Sequence, residues 1–179
     1  NRIKKISERV NIVYSGHLLR RKRIDLTIKV LSELSKIGNL KPKLKIIGDG
    51  VIKSDLVRLS EDLKVSHLIE WKGFLPKDEL LDEISNSDLF MLFSESEAFC
   101  ITVAECLAIG TPCIVANHTA LSEHADENGC MLVDYPIDPK KVAQKVELLI
   151  GKEIQVGLSG KRVKPWEDVI GRYSEIYNP

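Results

Sequence analysis

The chain has 179 residues, with 26 Lys and Arg against 26 Asp and Glu, and is 44% hydrophobic. These are the proportions of one globular domain that can bury roughly 70% of its unfolded surface without disulfides or a structural metal. A formal net charge of zero argues against a dedicated nucleic-acid binder, and the longest apolar run, residues 89–93, is far too short for a membrane span.

Residues 1–9 contain Arg2, Lys4 and Lys5 and are expected to be the end of a linker. With Asn1 where an initiating methionine would stand, and no secretory signal, the chain is expected to be a piece of something longer. Residues 10–14 predict the first strand. Ile24, Ile28, Leu31, Leu34 and Ile37 then recur at helical spacing and stop at Gly38, a glycine C-terminus. A strand at 44–47 follows, then a helix from Ser54 with Ile52, Leu56, Leu59 and Leu63 on one face. Next come a strand at 68–71 and a helix carrying Leu80, Leu81 and Ile84 behind Pro76. Residues 89–93 predict a fourth strand, Ile101 lies near the start of the next helix, and strands at 112–116 and 131–133 follow. Asp138-Pro139 opens a helix with Val142, Val146 and Leu149.

Most of these strands are solid apolar blocks, as in a parallel sheet covered on both faces. Residues 10–150 therefore predict an α/β fold, a Rossmann-like doubly wound sheet of about six parallel strands with helices on both faces. Residues 151–179 are expected as an extension: the pattern fades into Gly, Ser, Lys and Arg, then resumes in an amphipathic tail helix over 165–177 that carries Trp166. Cys100, Cys106, Cys113 and Cys130 lack the C-x2-C spacing of a zinc site and are expected as small buried hydrophobes in a reducing cytosol.

Ligands of such sheets bind beyond the carboxyl ends of the strands. After the first strand, Gly16 and His17 precede the cations Arg20, Arg21, Lys22 and Arg23, either a ligand-facing group or a solvated loop. Gly48-Asp49-Gly50, after the second strand, marks either a close backbone approach to a ligand or a plain turn. After the fourth strand an acidic loop, Ser94 to Glu97, runs into the helix near Ile101. The free amides of that helix's first turn can bind phosphate oxygens. Glu97 lies just before them and Glu105 about one turn beyond, an arrangement suited to a long ligand with a diphosphate in its middle. One carboxylate would then take ribose hydroxyls and the other a sugar. Taken singly, Glu97 is a loop acid and Glu105 a helix-surface acid, but apolar neighbours around Glu105 predict burial that calls for a partner.

Glu97 and Glu105, seven residues apart in the gap between them and enclosing Phe99-Cys100-Ile101, resemble the hallmark of family 4 retaining glycosyltransferases of the GT-B type. Gly110-Thr111-Pro112, Glu123, Gly129 and Trp166-Glu167 match the family pattern in order, so the resemblance spans nearly the whole chain. It implies the C-terminal, donor-binding half of a GT-B enzyme, with the N-terminal acceptor domain absent from this chain. Glu97 would face the transferred sugar, Phe99, Cys100, Ile101 and Thr102 would hold phosphate and sugar oxygens, and Glu105 would hold the ribose. Gly16 and Lys22 match the family's diphosphate-binding pattern, with Glu97 and Lys22 as the catalytic pair. His17 stands where that pattern has arginine, and Arg20 or Arg21 could substitute.

The implied reaction moves a hexose, with mannose a candidate, from a nucleoside-diphosphate sugar to a sugar or lipid-linked acceptor. No Asp-x-Asp pair occurs and the four histidines offer no metal spacing, so no cofactor or metal is expected, and Lys22, the basic loop and the helix terminus would meet the diphosphate charge. The implied setting is cytoplasmic, or peripheral at a membrane. A nucleotide or nucleotide-sugar binding module without transferase activity, and a GT-B nucleotide-sugar epimerase, are the alternatives.

Overall fold

The computed structural model describes residues 2–158. The chain runs β1 (Arg2–Lys5), β2 (Asn11–Ser15), α1 (Ile24–Leu34), β3 (Lys43–Ile47), α2 (Lys53–Asp62), β4 (Ile69–Gly73) and α3 (Lys77–Ser85). It continues through β5 (Leu89–Leu92), α4 (Ile101–Ile109), β6 (Cys113–Ala116), β7 (Cys130–Val133), α5 (Pro139–Glu147) and β8 (Glu153–Val156). Strands β2 to β7 form one parallel sheet in the order β4-β3-β2-β5-β6-β7, the doubly wound arrangement that the apolar blocks predict. Every residue of β5 and of β6 is buried, as strands with a helix layer on each face must be.

Helix α1 buries Ile24, Ile28, Leu31 and Leu34 completely and packs against α2 and α5, while α3 packs against α4. The predicted extent of α1 to Gly38 is trimmed to Leu34, because Ile37 and Leu40 close tight turns back onto Leu34 and Ile37. Asp138 caps α5 by accepting the N–H of Lys140 at 2.9 Å, with Pro139 in the first turn. That cap and proline start the helix as the sequence predicts.

Two strands carry no signal in the local pattern. β1 and β8 pair antiparallel, Arg2 with Val156 through Lys5 with Glu153, outside the main sheet. Both are short, and most of their residues are exposed. Arg2 also donates to the carbonyl of Ile109 at the end of α4, at 2.7 Å. The expected tail helix, with Trp166 and Glu167, lies outside the described residues. Among the described residues no helix is long and apolar enough to cross a membrane.

Consecutive crossovers carry the chain outward from β2 to β3 and β4, then back to β5 beside β2 and on to β6 and β7. The winding direction therefore reverses between β2 and β5. The loops leaving these two strands border the crevice at that point, the usual ligand position in doubly wound sheets.

Candidate functional site

The loop after β2 is held from below. Gly16 donates its N–H to Ile47 and Leu18 to Asp49, both at 3.0 Å, and the buried Tyr14 hydroxyl donates to the His17 carbonyl at 3.1 Å. Gly48 and Gly50 allow this contact: a β-carbon at Gly48 would stand 2.0 Å from the Gly16 carbonyl oxygen, and one at Gly50 2.4 Å from that of Leu18. The Gly48-Asp49-Gly50 segment thus makes a close backbone approach to a neighbouring loop, which sequence spacing could not separate from an approach to a ligand.

Across the crevice the loops after β2 and β5 are tied together. Glu95 donates its N–H to the Arg21 carbonyl at 2.8 Å. The fully buried Ser94 hydroxyl lies 3.1 Å from the carbonyl oxygens of both Arg21 and Ser96, and the Arg21 guanidinium donates to Ser96 at 2.7 Å. At the centre, Lys22 Nζ meets Glu97 Oε1 at 2.6 Å, with side-chain exposures of only 17% and 9%. The two residues named as the catalytic pair therefore touch across the switch point.

Helix α4 points its N-terminus at this pair. Cys100 occupies the cap position in a left-handed backbone, φ 55°, and no side chain caps the helix, as at α1, α2 and α3. The first-turn amides, without a side-chain acceptor, and the positive end of the helix dipole suit an anion. Gly16, His17, Arg21, Lys22, Glu97 and residues 98–102 line an open cleft of ≈ 550 Å³. Phe99 and Ile101 are exposed. Burial, followed by the charge of Glu97, pushes the Cys100 thiol up to about 12. Since the thiolate is the nucleophile, iodoacetamide at pH 8 should leave Cys100 unmodified in the folded chain and label it only after unfolding, as peptide mass mapping would show.

Of the candidate site residues, Gly16, His17, Lys22, Glu97, Phe99, Cys100, Ile101 and Thr102 all line the cleft, and Glu105 does not. Glu105 is not buried among apolar groups either: it is a quarter exposed and paired with Lys77 at the start of α3. Sequence reading missed Lys77, since nothing local marks a lysine on one helix as the partner of a glutamate on another. The cations after β2 separate. Arg21 and Lys22 line the cleft, whereas Arg20 and Arg23 line a different hollow with Asp25, Asp55 and Glu95. Arg23 bonds Glu95 at 2.6 Å and Asp25 at 3.0 Å; burial opposes ionisation of Asp25, but Arg23 and Lys29 outweigh it and hold the carboxyl below its ordinary range. His17 is exposed and sets its ring edge-on to Phe74 at 5.4 Å between centroids. Among the described residues there is no group of three or more His, Cys, Asp or Glu side chains that could hold a metal ion.

The profile of the family described as "Glycosyl transferases group 1" matches residues 1–162. The O-antigen biosynthesis glycosyltransferase WclY of Escherichia coli is 31% identical over 168 residues, covering 91% of this chain and 45% of that protein. An uncharacterized glycosyltransferase of Methanocaldococcus jannaschii is 29% identical over 141 residues, 78% of this chain and 35% of its own length. The chain thus spans less than half the length of these curated relatives. Among solved structures, a Staphylococcus aureus TarM mutant in complex with fondaparinux, alpha-GlcNAc-glycerol and UDP superposes with a TM-score of 0.79 at 18% identity, over 98% of this chain and 37% of that one. Anabaena HepE in complex with UDP and glucose superposes with a TM-score of 0.68 at 15% identity, over 79% of this chain and 38% of that one.

Proposed function

From the chain's membership of the glycosyl transferase group 1 family, we propose that its β2/β5 crevice binds a nucleoside-diphosphate sugar and serves as the donor half of a retaining hexosyltransferase. The observation that carries this reading is the Lys22–Glu97 pair, 2.6 Å apart and largely buried, beside a helix terminus that no side chain caps. An ordinary structural salt bridge does not need to sit at a switch point facing open amides. Lys22, Arg21 and the α4 amides would neutralise the diphosphate without a metal, Glu97 would face the sugar, and Glu105 would turn from Lys77 to the ribose hydroxyls. The acceptor, a sugar or lipid-linked sugar, would be held by a further domain of the kind the longer relatives have room for. A cytoplasmic or membrane-peripheral setting belongs to the same proposal.

A thermal-shift panel of UDP-, GDP- and ADP-sugars tests the reading, beginning with UDP-sugars because TarM and HepE hold UDP. At 100 times its dissociation constant a ligand adds about 2.7 kcal/mol, a rise of roughly 5–10 °C for a chain of this size. No rise with any member would sink the donor-site reading.

Glu105→Gln is expected to weaken binding of the nucleoside diphosphate itself, since one charged hydrogen bond to the ribose is worth about 1.5–3 kcal/mol. Calorimetric titration of the parent and variant checks this, and equal affinities would remove Glu105 from the site.

A further inference from the structure

Threonine seldom adopts a left-handed backbone, because its branched β-carbon crowds the following carbonyl. Thr119, in the loop after β6, does so with φ 51°, and its hydroxyl accepts the N–H of Glu97 at 3.2 Å. We propose that Thr119 is a positioning residue for Glu97: its strained backbone presents the hydroxyl that fixes the Glu97 amide and so sets the carboxylate beside Lys22. This rests on the reading of Glu97 as the sugar-facing carboxylate.

Strain of this kind persists only where the surroundings over-determine it, and here they do. The residues before Thr119 are anchored to the end of the neighbouring strand β7, with Asn117 donating its N–H to Val133 at 2.7 Å and its side-chain amide to Asp134 at 2.6 Å. His118 packs edge-on against Tyr135 at 5.5 Å, and the Tyr135 hydroxyl donates to the carbonyl of Phe93, just past β5. After Thr119, the Ser122 hydroxyl donates back to the Thr119 carbonyl at 2.7 Å and holds the 3-10 turn Thr119–His124. The loop after β6 is thus a brace running from β7 to the segment after β5. That segment, residues 93–100, has no regular secondary structure, so no ladder or helix takes up the Glu97 amide. Thr119 takes it up instead, and the chain accepts an unfavourable backbone to place an acceptor there.

Three variants of the full chain separate this role from a merely structural one. Thr119→Val keeps the branched side chain and removes the acceptor, Thr119→Gly removes both strain and acceptor, and Thr119→Ser keeps the hydroxyl. The readouts are Glu97 amide exchange by NMR, melting temperature, and calorimetric affinities for UDP and UDP-glucose, or for whichever nucleoside diphosphate and nucleotide-sugar stabilise the chain most. Thr119→Val and Thr119→Gly should speed Glu97 exchange. They should also lower the ratio of nucleotide-sugar to nucleoside-diphosphate affinity by about three- to tenfold, the worth of one hydrogen bond, while affinity for the nucleoside diphosphate alone stays put. Thr119→Ser should restore both properties, and Thr119→Gly should melt no lower than the parent.

An unchanged ratio in Thr119→Val, or a ratio that falls only together with melting temperature and nucleoside-diphosphate affinity, would overturn the proposal. A parent chain that binds no nucleotide-sugar would instead overturn the donor-site reading, and Glu97 exchange would still show whether Thr119 holds the loop.

Discussion

Gly48→Ala is expected to destabilise the chain by about 4 kcal/mol or more, at the exceptional end of single substitutions. The added β-carbon would lie 2.0 Å from the Gly16 carbonyl oxygen and 2.9 Å from its carbon, and the backbone at Gly48 has φ +130°. No side-chain rotation relieves a clash between two backbones. Gly16 cannot retreat, because its own N–H is bonded to Ile47 and the Gly48 N–H to Gly73 at 2.7 Å. At about 2–4 °C per kcal/mol for a chain of this length, the melting temperature should fall by roughly 8–16 °C. Gly38→Ala is the control: its β-carbon would meet nothing within 4 Å and no positive φ is forced, so the loss should stay within about 1 kcal/mol. Paired thermal melts read the difference. Because Gly16 lines the cleft, whatever Gly48→Ala protein remains folded should also bind nucleotides poorly.

The second large effect lies at the ion pair, where the two partners should respond with opposite signs. Lys22 and Glu97 neutralise each other at 2.6 Å with little solvent between them, so a diphosphate has to compete with Glu97 for the ammonium. Lys22→Met removes the cation and leaves a carboxylate facing the phosphates. Affinity for a nucleoside diphosphate should then fall about a hundredfold or more, from one charged hydrogen bond of up to about 3 kcal/mol plus like-charge repulsion. Glu97→Gln instead frees Lys22, and should bind the nucleoside diphosphate at least as tightly as the parent while losing the added affinity that the sugar confers. In Lys22→Met/Glu97→Gln the repulsion is gone, so nucleoside-diphosphate affinity should recover part of the Lys22→Met loss. Calorimetry on the four proteins forms a double-mutant cycle. A Glu97→Gln chain that binds the bare diphosphate far more weakly than the parent would mean that the carboxylate holds the site together and does not compete for Lys22.

These expectations mark where sequence and structure part. The sheet was legible because its strands are unbroken apolar blocks such as Leu89–Leu92, a pattern that burial on both faces imposes, and because α1 and α5 repeat their apolar residues at helical spacing. β1 and β8 were not, because a two-stranded ribbon lying largely in solvent needs no alternation and its two strands come from opposite ends of the described chain. In the site, residue types were legible and their partners were not. Lys22 and Glu97 stand out as chemistry-bearing residues after strand ends, yet their contact joins positions 75 residues apart and exists only because the sheet reverses between β2 and β5. Lys77 and Thr119 gave no local signal at all. The first is one of many surface lysines, and the second is unusual only in its backbone angle, which no residue pattern encodes.

The most direct measurement of the central claim is a calorimetric titration of the chain with nucleotide-sugars in excess EDTA, repeated with Lys22→Met. A cleft whose charge is met by Lys22, Arg21 and the α4 amides should bind one equivalent of its cognate nucleotide-sugar with the same affinity in EDTA as with magnesium, and Lys22→Met should lose that binding by about a hundredfold. Binding abolished by EDTA and restored by magnesium or manganese, or binding indifferent to Lys22→Met, would contradict it.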